Sequence, residues 1–272
     1  MAMVAVADIL GFSSLVKQEP LSKIVNYHIK NLNNLLSSIP SSQELPESPT
    51  NEQIIREWLV GHTLFSDTVI LYSLQDTREG YYAVIARANE ILSRPIQFPA
   101  LRFRIGISYG EFYCNPENNI YVGKALIEAY ELEQKQNWCG AALTEAAYTK
   151  IKNYPAAKSI LSPYDVPIKN GKKERHNVIN WTLNTHPLED KEYGWLSREN
   201  IDSDAAEEKI RNTERFHAEM CNQCKEHRKK LANDKLLKYL TRVGAVILTA
   251  LKRLLIVMPA LQLIGIQMTT GS

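Results

Sequence analysis

Apolar residues run unbroken through Met3-Val4-Ala5-Val6-Ala7 up to Asp8, and residues 3–7 predict a strand. Residues 21–39 place Ile24, Ile29, Leu32, Leu35 and Leu36 at roughly helical spacing and stop before Pro40, which predicts a helix. Residues 40–52 are rich in Ser, Pro and Glu and read as a surface loop. Residues 54–60 and 67–73 predict paired strands with Gly61-His62 near the connection, and 81–92 a second helix. A long strand follows over 101–109, a turn within 111–120, and helices over 124–137 and 143–151. Val178-Ile179-Asn180-Trp181-Thr182-Leu183 predicts the last strand. This alternation predicts an α/β (α+β) fold with a mixed sheet and helices packed against it, over residues 1–185.

From residue 186 to 272 the pattern changes to a helical extension. Residues 203–239 combine dense Glu, Lys and Arg with periodic apolar positions, which predicts a long charged helix whose seam needs a partner surface. Residues 243–267 are almost wholly apolar and long enough to span a bilayer. Against a span stand Lys252 and Arg253 at the middle, at ~2.5–3.5 kcal/mol each, and Pro259. Contact with a membrane through this stretch is therefore not the favoured expectation; a dimerisation helix, an amphipathic anchor or a buried segment are the alternatives.

Composition narrows the classes little. The chain has 272 residues, 44% of them hydrophobic, and a formal charge of +2. That length suits one domain plus an appendage. No basic stripe with interleaved aromatics runs through the first two hundred residues, so nucleic acid is not an expected partner. Four cysteines in a chain this long make no disulfide framework, and the N-terminus lacks a secretory signal pattern. The expected location is cytoplasmic.

The chemistry concentrates in two short strings. Ala7-Asp8-Ile9-Leu10-Gly11-Phe12-Ser13 ends an apolar run with a carboxylate and breaks into Gly11, which permits a tight turn and close approach to a ligand. Leu64-Phe65-Ser66-Asp67-Thr68-Val69-Ile70-Leu71 sets a second carboxylate inside a strand-forming run, where burial without a partner is costly. Two carboxylates on neighbouring strands suit a pair of hard cations and, through them, a triphosphate. The plainer alternative makes Asp8 a strand-end cap and Asp67 a hairpin residue.

These strings, together with Arg102-Phe103-Arg104-Ile105-Gly106-Ile107-Ser108-Tyr109-Gly110, resemble the class III nucleotidyl cyclases in motif and in order, over roughly residues 1–185. The resemblance implies a class III cyclase-like, mainly antiparallel sheet with flanking helices. It also implies Mg²⁺ or Mn²⁺, two ions per site, held by Asp8, Asp67 and the carbonyl of Ile9. Gly11, Phe12 and Ser13 would present backbone N–H groups to the phosphates, although an ordinary strand-to-helix turn capped by Ser has the same composition. By the same resemblance Arg104 is a phosphate ligand, against the alternative of a solvated Arg on an open sheet face. Lys169-Asn170-Gly171-Lys172-Lys173 is similar to a degraded form of the family's triphosphate-binding Lys turn, with Lys169 ahead of Lys172; a solvated hairpin tip is the alternative.

The departures are as informative. The family's Asn and Arg, four and eight residues after the helix-opening Gly, are replaced by Ile127 and Glu131 counted from Gly123. The base-reading position before the second Asp is Thr63, with Trp58, Leu64 and Phe65 crowding the hairpin, which predicts a pocket sized for a pyrimidine. Gly123-Lys124-Ala125-Leu126-Ile127-Glu128-Ala129-Tyr130-Glu131-Leu132-Glu133 looks, more loosely, like the bacterial Pycsar antiphage cyclases, which make cyclic CMP or cyclic UMP. What that implies is a homodimer turning CTP or UTP into a 3′,5′-cyclic nucleotide and pyrophosphate, as a second messenger for a cyclic-nucleotide-responsive effector. An adenylate cyclase and a catalytically silent nucleotide-binding or dimerisation module are the alternatives. His217-x-x-x-Cys221-x-x-Cys224-x-x-His227 lies along one side of the charged helix and reads as a packing seam before a zinc site.

Overall fold

Strand β1, Ala2–Ile9, is buried along its whole length apart from the half-exposed Asp8, as its apolar run dictates. The computed structural model describes residues 1–37, 59–93, 102–184 and 203–223. Residues 1–221 form one compact unit; of a second, 222–272, only the first two residues are described. In chain order β1 is followed by α1 (Phe12–Gln18) and by α2, which joins Leu21–Lys23, a π-helical stretch Ile24–Ile29 and Lys30–Ser37. Then come β2 (Val60–Phe65), β3 (Thr68–Ser73), α3 (Arg78–Ser93) and β4 (Phe103–Gly110). A small hairpin of β5 (Tyr113–Asn115) and β6 (Ile120–Val122) precedes α4 (Lys124–Lys135). Next are β7 (Gly140–Leu143), α5 (Glu145–Ile151), α6 (Pro155–Ile160), β8 (Leu161–Pro167) and β9 (Lys173–Ile179). A last helix, α7, occupies residues 204–223.

The seven-stranded sheet has the order β2-β3-β1-β4-β7-β9-β8, with β4–β7 its one parallel pair. The architecture is thus the expected mixed, mainly antiparallel sheet with flanking helices. A parallel pair needs a crossover, and here the chain passes through the β5–β6 hairpin and α4 between β4 and β7.

Alternation divides the sheet faces cleanly. Met3, Ala5, Ala7, Ile9, Val69, Leu71, Phe103, Ile105 and Ile107 share the main core with α3. Val4 and Tyr72 point the other way, toward α4, where they cluster with Ala125. Gly106 lets α4 approach: a Cβ there would lie 2.1 Å from the Ala129 carbonyl oxygen and 2.6 Å from the Glu133 nitrogen. The backbone of α4 therefore rests directly on β4, and no larger residue fits between them.

Several boundaries differ from the sequence expectations. The β2–β3 hairpin turns at Ser66-Asp67, not at Gly61-His62, so Asp67 sits in a tight turn instead of a strand interior. Ser66 takes the left-handed conformation, φ 56°, that a two-residue turn demands; residues 54–58 of the expected strand lie outside the described residues. The last strand is Lys173–Ile179, and Trp181–Asn184 is a 3-10 turn. Its partner β8 is missed because Pro163 and Pro167 disguise it; an edge strand tolerates both. Gly140–Leu143, which the sequence reading assigned to no strand, is β7, and the helix expected from residue 143 begins after its Thr144 cap.

The charged helix also corrects an expectation. The buried Ile210, Phe216 and Met220 belong to the domain itself, with Phe216 ringed by Trp138 at 4.7 Å, Tyr164 at 4.9 Å and Trp181 at 5.8 Å. Asn212 donates to the Asn137 carbonyl at 2.8 Å, and Thr213 Oγ1 accepts from the Cys139 N–H at 2.8 Å. The seam over 204–221 is satisfied within the chain, so it is not left over for a second copy. The loop at 40–52, the rest of the helix to 239 and the apolar stretch 243–267 lie outside the described residues. Among the described residues no helix is long and apolar enough to cross a membrane.

Candidate active site

One cross-strand row defines the site: Phe65 on β2, Thr68 on β3, Asp8 on β1 and Arg104 on β4 stand opposite one another in register. All four lie on the α4 face of the sheet by alternation. Asp67 directly precedes Thr68, and its carbonyl accepts from the Ile9 N–H at 3.2 Å, which ties the hairpin turn to the end of β1. Thr63 falls on the same face, one row further along and two strands from Asp8.

Beyond Asp8 the chain turns through Gly11, whose φ of 80° is open to glycine without strain, and enters α1 at Phe12. Gly11 is the N-cap and no side chain caps this helix, so the alternative of a Ser-capped turn is not what the chain adopts. Gly11 and Ser13 are exposed at the turn; the Phe12 side chain is buried in the main core. Phe12 can thus contribute only backbone to a ligand.

Arg104 is neither solvated nor free. It is 3% exposed, because α4 covers it. Its Nε donates to Glu133 Oε1, its Nη1 to the Gln136 carbonyl at 3.2 Å, and its Nη2 to Asp8 Oδ2 at 3.4 Å. The solvated alternative fails because the alternation that moves Arg104 off the main core moves it under a helix. Glu133 is fully buried, and burial pushes its carboxyl up, against the pull of Arg104. Gln136 locks the end of α4, donating to the Ile105 and Leu132 carbonyls at 2.9 and 3.0 Å and accepting from Trp138 Nε1 at 2.8 Å.

The turn between β8 and β9 arrives at the same end of the sheet. Lys169 N–H donates to the Lys135 carbonyl at 2.9 Å and Asn137 N–H to the Pro167 carbonyl at 2.8 Å, fastening this turn to the end of α4. Gly171, φ 76°, permits the turn. Lys169 is exposed. Partial desolvation and the Arg104 charge lower its pKa, while Glu133 and Asp8 oppose them. Burial lifts the Asp8 carboxyl from 3.8 to about 6, with Glu133 and Asp67 adding to the rise and Arg104 opposing it.

The structure therefore brings Asp8, Ile9, Asp67, Gly11, Ser13, Arg104 and Lys169 to one end of one sheet face, with Thr63 at its margin. It separates Leu64, which faces the main core, from Thr63 and Phe65, so Leu64 does not crowd the same surface. Trp58 lies outside the described residues. Phe65 is 81% exposed. Glu133 is the residue that sequence reasoning missed. The signal was present: Ala125, Ala129, Leu132 and Glu133 form the buried stripe of α4, and a carboxylate in such a stripe needs a cation across from it.

A hard divalent cation suits this donor set. Mg²⁺ takes one or two carboxylates and completes its shell with water and phosphate oxygens. Asp67 is near enough to Asp8 that its charge adds to the rise of the Asp8 carboxyl, and a cation would relieve that repulsion. Among the described residues no group of three or more metal-ligating side chains occurs. His217 Nε2 and Cys221 Sγ lie 3.5 Å apart, and His217 stacks on Trp181; Cys224 and His227 lie outside the described residues.

No family model matches the chain, and no curated protein matches it. Solved structures do. One is the catalytic core of a rhodopsin-guanylyl cyclase with converted specificity, in complex with ATPalphaS, at 15% identity and a TM-score of 0.45, covering 65% of this chain and 93% of that one. Another is an adenylate cyclase from Trypanosoma brucei in its monomeric state, at 13% identity, 66% and 89% coverage and a TM-score of 0.45. A third is the non-canonical dimeric guanylyl cyclase domain of a fusion protein from the aquatic fungus Blastocladiella emersonii, at 17% identity, 65% and 94% coverage and a TM-score of 0.43.

Proposed function

We propose that the chain is a nucleotidyl cyclase acting on a pyrimidine nucleoside triphosphate. The observation that carries this reading is the gathering of two carboxylates, a glycine turn and a lysine turn, distant in sequence, at one end of the sheet. In the reaction the ribose 3′-oxygen attacks the α-phosphorus, the bond to the oxygen bridging the α- and β-phosphorus breaks, pyrophosphate leaves, and the hydroxyl proton passes to water. Asp8, Asp67 and the Ile9 carbonyl would hold Mg²⁺ or Mn²⁺, which when bound supplies charge neutralisation and lowers the pKa of the hydroxyl. Gly11 and Ser13 offer the backbone that phosphate oxygens approach. Lys169 extends into solvent and can follow the triphosphate, whereas Arg104, held by Glu133 and Gln136, orients Asp8.

The base preference rests on Thr63. A Thr hydroxyl both donates and accepts, and it stands where the resembling enzymes carry a longer base-reading side chain. Incubating the protein with labelled ATP, GTP, CTP and UTP and Mn²⁺, followed by chromatography, should yield cyclic CMP or cyclic UMP. Cyclic AMP alone would overturn the base assignment; no cyclic product from any of the four would favour a silent nucleotide-binding module, a reading to which Ile127 and Glu131 lend weight.

A homodimer completes the site in this reading. Ile127 and Tyr130 on α4 are 57% and 52% exposed, and the adjoining hairpin also exposes Tyr113, Ile120 and Val122. Such a run of large apolar side chains suits a second copy placed about a two-fold axis. An Ile127→Glu/Tyr130→Glu double variant should sediment as a folded monomer and lose activity. A dimer persisting at assay concentration would place the interface elsewhere.

A further inference from the structure

One pair of chemistry-bearing side chains on α7 serves neither the core nor the carboxylate site. His217 and Cys221 stand one helical turn apart, at positions i and i+4, on the same side of the helix. Their neighbours Phe216 and Met220 are fully buried, whereas His217 and Cys221 are half-buried. The packing seam expected from the sequence is thus made by Phe216 and Met220, and it leaves an imidazole and a thiol at its rim.

The pair is held in place. The His217 ring stacks on the buried Trp181, with 5.9 Å between centroids and 26° between planes. That contact orients the imidazole, and Nε2 lies 3.5 Å from Cys221 Sγ. Cys221 is in no disulfide. Neither side chain stands free of the fold, since each makes a further contact. The 3.5 Å separation carries the argument. A zinc ion holds an imidazole nitrogen at about 2.0–2.1 Å and a thiolate at about 2.3 Å, and at a tetrahedral angle two such donors stand about 3.5 Å apart. In the metal-free chain a hydrogen bond between thiol and imidazole keeps the two donors at that spacing.

We propose that His217 Nε2 and Cys221 Sγ form a zinc-binding site on α7, with ligands other than the Asp8 and Asp67 carboxylates and with no dependence on the cyclase reading. When zinc binds, the Cys221 sulfur gives its proton to water, and both donors bond to the ion in place of their contact with each other. An imidazole with a thiolate is a donor set for zinc, not for the Mg²⁺ that carboxylates hold. Two protein donors leave positions on the ion to water, so the site loads and unloads with the free zinc concentration; a closed structural centre takes four. An ion joining positions i and i+4 also ties two successive turns of α7 together beside Phe216. Zinc is thereby coupled to how firmly α7 closes the aromatic corner.

Titrating the full chain, reduced and free of metal and nucleotide, with Co²⁺ tests it, because cobalt bound to a thiolate absorbs by charge transfer in the near ultraviolet. Cobalt taken up by Asp8 and Asp67 gives no such band. The parent should show a saturable band that Zn²⁺ abolishes. Cys221→Ser should remove the band, His217→Ala should weaken Co²⁺ at this site at least tenfold, and Cys114→Ser should leave both unchanged. Zn²⁺ should raise the thermal midpoint of the parent and not that of Cys221→Ser; circular dichroism establishes that each variant is folded. Absence of the band from the parent overturns the proposal. A band that survives Cys221→Ser places the ion on another thiol and overturns it too, as does unchanged affinity in His217→Ala. A chain that shows the band and makes no cyclic nucleotide retains the zinc site and discards the cyclase reading, so the two fail separately.

Discussion

Replacing Asp8 with Asn should give a folded protein that resists urea better than its parent at pH 7 without divalent cation, and that has lost turnover by roughly a thousandfold or more. The stability gain follows from the carboxyl's displacement from 3.8 to about 6, set chiefly by burial. Between those values the folded chain holds a proton that the unfolded chain has released, so this group's contribution is complete below pH 3.8 and is lost as the pH rises through about 6. At pH 7 the ionised carboxylate therefore burdens the metal-free fold by up to about 3 kcal/mol. Asn removes the burden along with the ligand. Urea titrations at pH 4 and pH 7 should show a gap between variant and parent that opens with pH. A gap that stays constant would mean that Asp8 is not desolvated. Near-parental turnover would mean that it holds no essential cation.

Truncating Glu133 to Ala should be the most damaging single change to the fold near the site, at about 3–5 kcal/mol. The cost comes from what remains: the Arg104 guanidinium, buried beneath α4, would keep only the Gln136 carbonyl and a distant edge of Asp8. The matched change Arg104→Met/Glu133→Leu removes both charges and should cost less than Glu133→Ala alone, since an apolar pair of similar volume does not need solvating. Chemical denaturation of the three proteins decides it. A Glu133→Ala variant within about 1 kcal/mol of the parent would show that water reaches Arg104 and that the pair is not sealed.

The sheet was legible wherever local pattern and tertiary environment agree. β1 reads as a strand from its apolar run, which the fold buries on both faces, and the alternation of Phe103, Ile105 and Ile107 against Arg104 and Gly106 correctly sorted two faces. What alternation cannot say is what covers the second face. The choice between a solvated and a ligand-bound Arg104 missed the third outcome, a carboxylate delivered by a helix 29 residues away in sequence. β7 and β8 escaped for the opposite reason: their residues favour other states, and pairing with β4 and β9 overrides that preference. The Asp67 carboxylate was placed on the right strand pair, but its position in the turn depended on Ser66 accepting a left-handed backbone, a conformation rare outside Gly, Asn and Asp. The packing of α7 onto this domain was unreadable too, because nothing in a charged amphipathic helix says which neighbour its apolar stripe will meet.

That stripe has a consequence for how the chain comes to be folded. The aromatic cluster around Phe216 draws Trp138, Tyr164 and Trp181 from three earlier segments, and none of them is fully covered until α7 arrives. During synthesis the central strands are available first and can pair early, while this corner must wait for α7 to leave the ribosome. A nascent chain stopped before α7 carries exposed tryptophans and an unguarded end of the sheet, the kind of surface on which chaperones and aggregates compete. The order of synthesis thus leaves this corner of the domain unfinished until α7 is present.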